Sequence, residues 1–266
     1  MTKIVTSLQN PLIKNILLLQ EKPRERKNQG VFLIEGYPEI RLSVISGFEI
    51  NTLLFCPALI KQSELDDLTK NVNPTEMIEC SAEVFNRVAY RKDTGGVITI
   101  AIQKRISFEA LHLKENPLLL VLESVEKPGN LGAVLRTADA AGLDAVIICD
   151  PQTDIYNPNT IRSSIGCIFT VPVVTSTSSE TLAWLRSKHI LAYGTALTAQ
   201  RFYNETELHT PCAIIMGTEA TGLSKVWLEG ADDLIKIPMR GRIDSMNVSV
   251  SAAIVVFEAL RQRNFR

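Results

Sequence analysis

From Leu118 onward the apolar residues fall into short unbroken runs separated by stretches of helical spacing. Leu118–Glu123, Ala145–Cys149, Thr170–Val174, Ile190–Gly194, Cys212–Met216 and Leu234–Pro238 read as strands. Between them, Asn130–Ala141, Asn159–Ile168 and Glu180–Lys188 read as helices, and Met246–Gln262 closes the chain as a long one. Asn130 stands where an N-cap belongs and Gly142 where a C-cap belongs. A strand with one wet face alternates apolar and polar residues, and these do not. Unbroken apolar strands alternating with helices predict a parallel sheet covered on both faces. Such sheets bind ligands beyond the carboxyl ends of their strands.

The first part of the chain is less regular. Val31–Glu35 and Leu53–Phe55 read as short buried strands, and Gly96–Ile102 is rich in β-branched residues. Pro38–Ser46 and Glu64–Asn71 read as helices. The polar stretches Gln103–Arg105 and Lys114–Pro117 then interrupt the pattern. The expected organisation is a smaller α/β domain over 1–105, a linker over 106–116 and a larger α/β domain over 117–266. The length agrees, since 266 residues is about 1.8 times the ~150 of one domain.

Composition narrows the class. With 45% hydrophobic and 21% charged residues the chain can build a core, which excludes a disordered protein. No apolar run approaches the ~18–20 residues of a membrane span, and the N-terminal region lacks the ~7–15-residue apolar segment of a signal peptide. A soluble, cytoplasmic protein without a membrane partner is therefore expected. Five widely spaced cysteines without a C-x-x-C pair, and three scattered histidines, predict neither a disulfide framework nor a metal site. The net charge is −1, but residues 1–30 carry six basic side chains against Glu21 and Glu25. Lys22, Arg24, Arg26 and Lys27 are candidates for nucleic-acid phosphate contacts, set against the plainer reading of a solvated basic face.

Three segments carry candidate chemistry, each between a predicted strand and helix. The first runs Glu126-Lys127-Pro128-Gly129-Asn130-Leu131-Gly132 and reaches Arg136-Thr137. An arginine within an otherwise apolar helix is by itself as readily structural as catalytic. The second, Gly217-Thr218-Glu219-Ala220-Thr221-Gly222-Leu223-Ser224, nearly matches a phosphate-binding loop, but Leu223 stands where that loop needs lysine. A nucleoside triphosphatase is excluded on that ground, while the glycines still let backbone approach a ligand closely. The third joins Ile237-Pro238-Met239-Arg240-Gly241-Arg242 to Ser245-Met246-Asn247-Val248-Ser249. Ser245 is placed to cap the closing helix. Asn and Ser are poor interior helix formers, and capping explains only one of them.

Taken together, the three segments resemble the three motifs of the SpoU (TrmH-like) branch of the SPOUT RNA methyltransferases. Asn130, Gly132, Arg136 and Thr137 match the first motif; Gly217, Glu219 and Gly222 match the second. Ile237–Gly241 and Ser245–Ser249 match the third, with Met246 replacing the usual leucine. Order and spacing agree across about 150 residues. Residues 1–105 resemble, less sharply, the L30e-like substrate-binding domain found fused to such enzymes, on the phrases Phe32–Gly36 and Gly95–Val97.

The resemblance implies a parallel sheet threaded into a deep trefoil knot, a homodimer through the C-terminal domain, and methylation of an RNA ribose 2′-hydroxyl by S-adenosylmethionine. It implies cofactor contacts at Gly217, Thr218, Gly222, Ile237, Met239, Gly241 and Met246. Asn130, Arg136, Glu219, Ser245 and Asn247 would carry the chemistry, and Arg240 and Arg242 would join the RNA surface. Family proposals make the arginine the base, yet a guanidinium is normally always charged and serves equally as a phosphate and oxyanion clamp. Ribosomal RNA is favoured over transfer RNA, because the first domain resembles a ribosomal-protein fold. A base-methylating SPOUT enzyme and an inactive RNA-binding protein on the same fold are the alternatives.

Overall fold

Two sheets organise the chain, each with its own apolar core. The computed structural model describes residues 3–90, 95–218, 220–243 and 245–265. Its strands are β1 (Lys3–Val5), β2 (Val31–Glu35), β3 (Ile50–Phe55), β4 (Glu76–Cys80), β5 (Val97–Ile102), β6 (Leu118–Glu123), β7 (Ala145–Cys149), β8 (Val173–Ser176), β9 (Leu191–Thr195), β10 (Arg201–Phe202), β11 (Cys212–Met216) and β12 (Asp233–Lys236). The helices are α1 (Pro11–Glu21), α2 (Pro23–Gln29), α3 (Tyr37–Ile45), α4 (Gln62–Asn71), α5 (Ala82–Val88), α6 (Pro128–Ala141), α7 (Pro158–Ser164), α8 (Cys167–Thr170), α9 (Ser178–Ser187), α10 (Lys225–Gly230) and α11 (Val248–Gln262).

Contacts divide the chain into Met1–Lys104 with Asp154–Thr170, and Arg105–Thr153 with Val171–Arg266. The first unit holds a five-stranded sheet in the order β1-β4-β3-β5-β2, with β5 antiparallel to both neighbours and the other pairs parallel. Helix α1 starts at the Asn10 cap with Pro11 at its first position and buries Ile13, Ile16 and Leu19. That stripe packs into a cluster with Leu54, Ile78, Phe85 and Ile98.

Segment Asp154–Thr170, which the sequence pattern groups with the later strands, belongs by contact to this first unit. Tyr156 stacks on Phe32 at 4.2 Å between ring centroids, and its hydroxyl donates to the Lys104 carbonyl. The single helix predicted over Asn159–Ile168 is two helices, α7 and α8, broken at Ile165–Gly166. Ile165 adopts φ 53° and Gly166 φ 82°. The left-handed φ at Gly166 favours glycine, and a β-carbon there would also fall 2.9 Å from a Leu42 methyl of α3.

The second unit holds a seven-stranded sheet in the order β10-β12-β9-β11-β6-β7-β8, parallel at every pairing. This is the expected parallel α/β sheet. Strands β6, β7 and β11 are buried along their whole length, the burial that their unbroken apolar runs require. Gly142 ends α6 in the left-handed conformation, as its position predicts. The N-caps differ from expectation. Pro128 opens α6, so Asn130 lies inside its first turn, and α11 is capped by Asn247, not Ser245. Proline fills the first helical position readily because its missing N–H would have had no partner there. Among the described residues, no helix is long and apolar enough to cross a membrane, and no group of three or more His, Cys, Asp or Glu could hold a metal.

Candidate active site

Beyond the carboxyl ends of β6, β9, β11 and β12 lie two adjoining cavities. The larger, about 430 Å³, is walled by Thr195–Thr198 after β9, by Met216–Thr218 and Ala220–Leu223 after β11, by Ile235–Ile237 and Met239, and by Ser245, Met246 and Val248. The smaller, about 310 Å³, is walled by Leu122–Lys127 and Asn130. Met216, Gly217, Thr218, Ala220 and Val248 face both. The strand ends and loops flagged by the three motifs thus converge on one place.

The partition between the cavities is a tight turn. Thr218 N–H donates to the Gly222 carbonyl at 3.1 Å and Gly222 N–H donates back to the Thr218 carbonyl at 3.0 Å. The Thr218 hydroxyl also accepts from Thr221 N–H, and Gly222 sits at φ 68°. At Gly217 two strands of backbone cross so closely that a β-carbon would stand 2.3 Å from the Gly222 carbonyl carbon. Only a residue without a side chain fits there.

Seven sequence-predicted residues line the larger cavity: Gly217, Thr218, Gly222, Ile237, Met239, Ser245 and Met246. Its wall combines apolar side chains (Leu223, Leu228, Ile237, Met239, Met246) with the hydroxyls of Thr195, Thr198, Thr218 and Ser245. That mixture suits a flat heterocycle joined to a polar chain, and the volume falls within the ~300–1,000 Å³ of small-molecule sites. The site therefore fits S-adenosylmethionine, with the Gly217–Gly222 crossing as its close backbone wall. Gly241 does not line it, and open space surrounds its α-carbon.

Asn247 joins the third motif to the first. Its side-chain oxygen accepts from Ser249 N–H at 2.9 Å as the cap of α11, while its amide nitrogen donates to the Asn130 side-chain oxygen at 3.1 Å. Because Pro128 and not Asn130 begins α6, the Asn130 side chain is available for this bond. Asn130 in turn lines the smaller cavity.

The remaining predicted residues separate into groups. Arg136 is exposed, lines neither cavity, and has no hydrogen bond or ion pair among the described residues. Six positions beyond Asn130, it projects about 120° away around α6. Glu219 lies outside the described residues. Arg240 and Arg242 are exposed after β12, and Lys22, Arg24 and Lys27 are exposed at α2. Arg26 is not an RNA contact. It is 0% exposed, its Nε lies 2.6 Å from the Asp154 carboxylate, and its Nη1 donates to the carbonyls of Leu19 and Gln20. A buried guanidinium requires such partners, and these consume the charge that the sequence assigns to phosphate.

One group escaped the sequence reading. Glu123, 5% exposed at the end of β6, accepts from Ser224 N–H through Oε2 at 2.8 Å and from the Ser178 hydroxyl through Oε1 at 2.7 Å. The signal was a lone carboxylate closing the otherwise apolar run Leu118–Leu122. Nearby, burial pushes the Cys149 thiol up to about 12, which removes it as a nucleophile.

Comparison with known proteins agrees with this geometry. Residues 117–257 match the SpoU rRNA Methylase family, and residues 10–99 match the MRM3-like substrate binding domain. The chain is 31% identical to the Bacillus subtilis (strain 168) protein named 23S rRNA (guanosine(2553)-2′-O)-methyltransferase RlmP, over 96% of this chain and 98% of that one. It is 36% identical to a Vibrio parahaemolyticus 23S rRNA (guanosine-2′-O-)-methyltransferase RlmB, over 87% of this chain and 88% of that one. Among solved structures, the SpoU methyltransferase AviRb from Streptomyces viridochromogenes, in complex with AdoMet, aligns with a TM-score of 0.89 at 25% identity, covering 96% of this chain and 99% of that one. An RNA 2′-O ribose methyltransferase aligns with a TM-score of 0.83 at 37% identity, covering 98% and 99%. A family match spanning more than half the chain, joined to a relative alike along nearly its whole length, establishes that this protein belongs to the SpoU rRNA methylase family.

Proposed function

We propose that the protein methylates a ribose 2′-hydroxyl of ribosomal RNA with S-adenosylmethionine as the donor. The names of the similar 23S rRNA enzymes support a guanosine of the large-subunit RNA as the target. The observation that carries the reading is the Asn247–Asn130 bond, which joins the first and third motifs where the two cavities meet. The larger cavity holds the cofactor, which supplies an electrophilic methyl group when bound. The smaller receives the ribose, oriented by Asn130. Holding the hydroxyl in line with the methyl group converts a bimolecular encounter into a positioned one, the main contribution such a site makes.

Arg136 is the cation for the reacting centre, yet it faces neither cavity of its own chain. A homodimer resolves this. Helix α11 buries Ala252, Val255, Val256 and Ala259 while leaving Val250 and Phe257 49% and 43% exposed, seven residues apart on a second apolar face. Pairing through that face, beside α6, brings the Arg136 of one copy toward the cavities of the other. There it clamps the phosphate next to the target and stabilises developing charge on oxygen. The first unit, with Lys22, Arg24 and Lys27 exposed, grips the RNA. The β11 and β12 loops that wall the cofactor cavity are the segments threaded through the knot. An rRNA target supports a cytoplasmic enzyme.

The test is to map 2′-O-methyl nucleosides in cellular RNA with and without the gene, and to titrate the purified protein with S-adenosylmethionine by calorimetry. Loss of one ribosomal site together with measurable binding is expected. A lost base methylation would instead favour the base-methylating alternative. Absence of cofactor binding would favour an RNA-binding protein without catalysis.

A further inference from the structure

Glu123 does not belong to any of the three motifs, yet it ties two of them together. It ends β6, from which the first motif leaves, and its Oε2 takes the backbone N–H of Ser224 at 2.8 Å. Ser224 ends the second motif's turn and precedes α10, so this bond fixes the turn at the end opposite Gly217. Oε1 takes the Ser178 hydroxyl at 2.7 Å, and that hydroxyl also stands 2.7 Å from Asp150 Oδ2. The Ser178 N–H donates to Asp150 Oδ2 as well, at 3.0 Å. Two successive strand ends, β6 and β7, are thereby joined through the start of α9. The backbone records the constraint, because Ser124 and Asp150, the residues after these strands, adopt φ 50° and 49°. Glu123 also forms part of the wall of the smaller cavity.

We infer that Glu123 is a positioning residue for the cofactor: a buried clasp whose reach holds the Gly217–Ser224 turn closed as the wall between the two cavities. Its task is geometric, so the carboxylate's length matters more than its charge. Glutamine satisfies every partner. Its Oε1 accepts from Ser224 N–H, its Nε2 donates to the Ser178 oxygen, and the Ser178 hydrogen turns to Asp150. Alanine satisfies none, stripping the Ser224 N–H of its carboxylate partner and leaving the turn untethered.

This inference rests on the larger cavity being the S-adenosylmethionine site. Calorimetric titration of the full-length wild-type protein with S-adenosylmethionine tests that premise separately, since failure there overturns the premise and not the clasp. Where the wild type binds, Glu123→Ala is expected to raise the cofactor Kd at least tenfold. The KM for cofactor should rise in parallel, with kcat at saturating cofactor within about threefold of wild type. Glu123→Gln is expected to stay within threefold in Kd, KM and kcat. Should Glu123→Ala not fold, Ser178→Ala removes the Oε1 partner together with the hydroxyl's contact to Asp150, keeps the Ser224 bond, and is expected to raise Kd two- to fivefold. Wild-type Kd in every folded alanine variant would overturn the clasp, leaving Glu123 a purely structural group. Loss of kcat in Glu123→Gln at unchanged Kd would overturn it the other way, making the carboxylate's charge part of the chemistry.

Discussion

The glycines of the second and third motifs share a residue type but not a reason, and alanine substitution separates the reasons. At Gly217 a β-carbon would lie 2.3 Å from the Gly222 carbonyl carbon, 2.4 Å from its oxygen and 2.6 Å from Leu223 N. All three are backbone atoms, so no side chain can swing aside. Ordinary contact begins near 3.4 Å, so the crossing must open by roughly 1 Å, and overpacking of this kind costs about 1–3 kcal/mol. Both sides of the crossing wall the larger cavity, so the displacement falls on the cofactor site. At Gly222 a β-carbon meets nothing within 4 Å, but φ 68° is left-handed, which costs a side chain about 1–2 kcal/mol without deforming the wall. Gly241 has open space and no positive φ. Gly217→Ala is therefore expected to weaken S-adenosylmethionine binding at least tenfold and lower Tm. Gly222→Ala should lower Tm with a smaller effect on binding, and Gly241→Ala should change neither. Calorimetric titration and thermal melts of the three variants provide the comparison. Gly217→Ala binding cofactor within twofold of wild type would refute the steric reasoning, because the crossing would then have slack that these distances exclude.

Four further outcomes follow from the same geometry. Arg136→Ala is expected to abolish methyl transfer while leaving the cofactor Kd within a few fold, and Arg136→Lys should rescue little because a point charge does not reproduce a two-pronged guanidinium; cofactor titration beside a methylation assay checks both. Replacing Lys22, Arg24 and Lys27 by alanine should flatten the dependence of log K on log salt by up to about 2, at roughly 0.7 per lost phosphate contact on single-stranded RNA. Arg26→Ala should instead destabilise the fold by about 3–5 kcal/mol by stripping Asp154 of its buried partner, as read from denaturant melts. Burial raises the thiols of Cys80 and Cys149 to about 12 and that of Cys212 to about 11, so at pH 8 they remain protonated. Iodoacetamide should leave these three unlabelled in the native protein and reach them only in denaturant, with mass spectrometry reporting the sites.

The second sheet was legible because burial on both faces leaves a plain signature. Runs such as Leu118–Glu123 and Cys212–Met216 have no polar alternation, and both coincide with strands. The first unit was harder to read because its elements are short and stabilised by partners distant in sequence. Strand β1 is three residues pairing with β4, and α2 is seven largely polar residues whose buried anchor is an arginine. Arg26 shows the limit most directly. In a charge count it is one of four neighbouring cations, and only the arrival of Asp154, from a segment 128 residues away, turns it into a core residue. The helix expected over Asn159–Ile168 breaks where Ile165 and Gly166 turn left-handed, and the only local mark of that turn is one glycine.

At the site, the motifs told which loops matter but not how they touch. Asn130 illustrates this. Its residue type and position suit a cap, and Pro128, two residues earlier, takes the start of the helix from it. The side chain so released is what the third motif needs, because Asn247 can cap α11 with its oxygen and still offer its amide to Asn130. An asparagine is the side chain that serves both ends of that arrangement. Aspartate at 247 would keep the cap but bring an acceptor against the Asn130 oxygen, and serine would be too short to reach it. The run of small polar residues entering α11 thus has a physical reason that helix propensity alone opposes: one residue caps the helix and joins two motifs. The reason becomes visible only in the fold, where α11 packs against α6 and brings the segment after β12 to the first turn of α6.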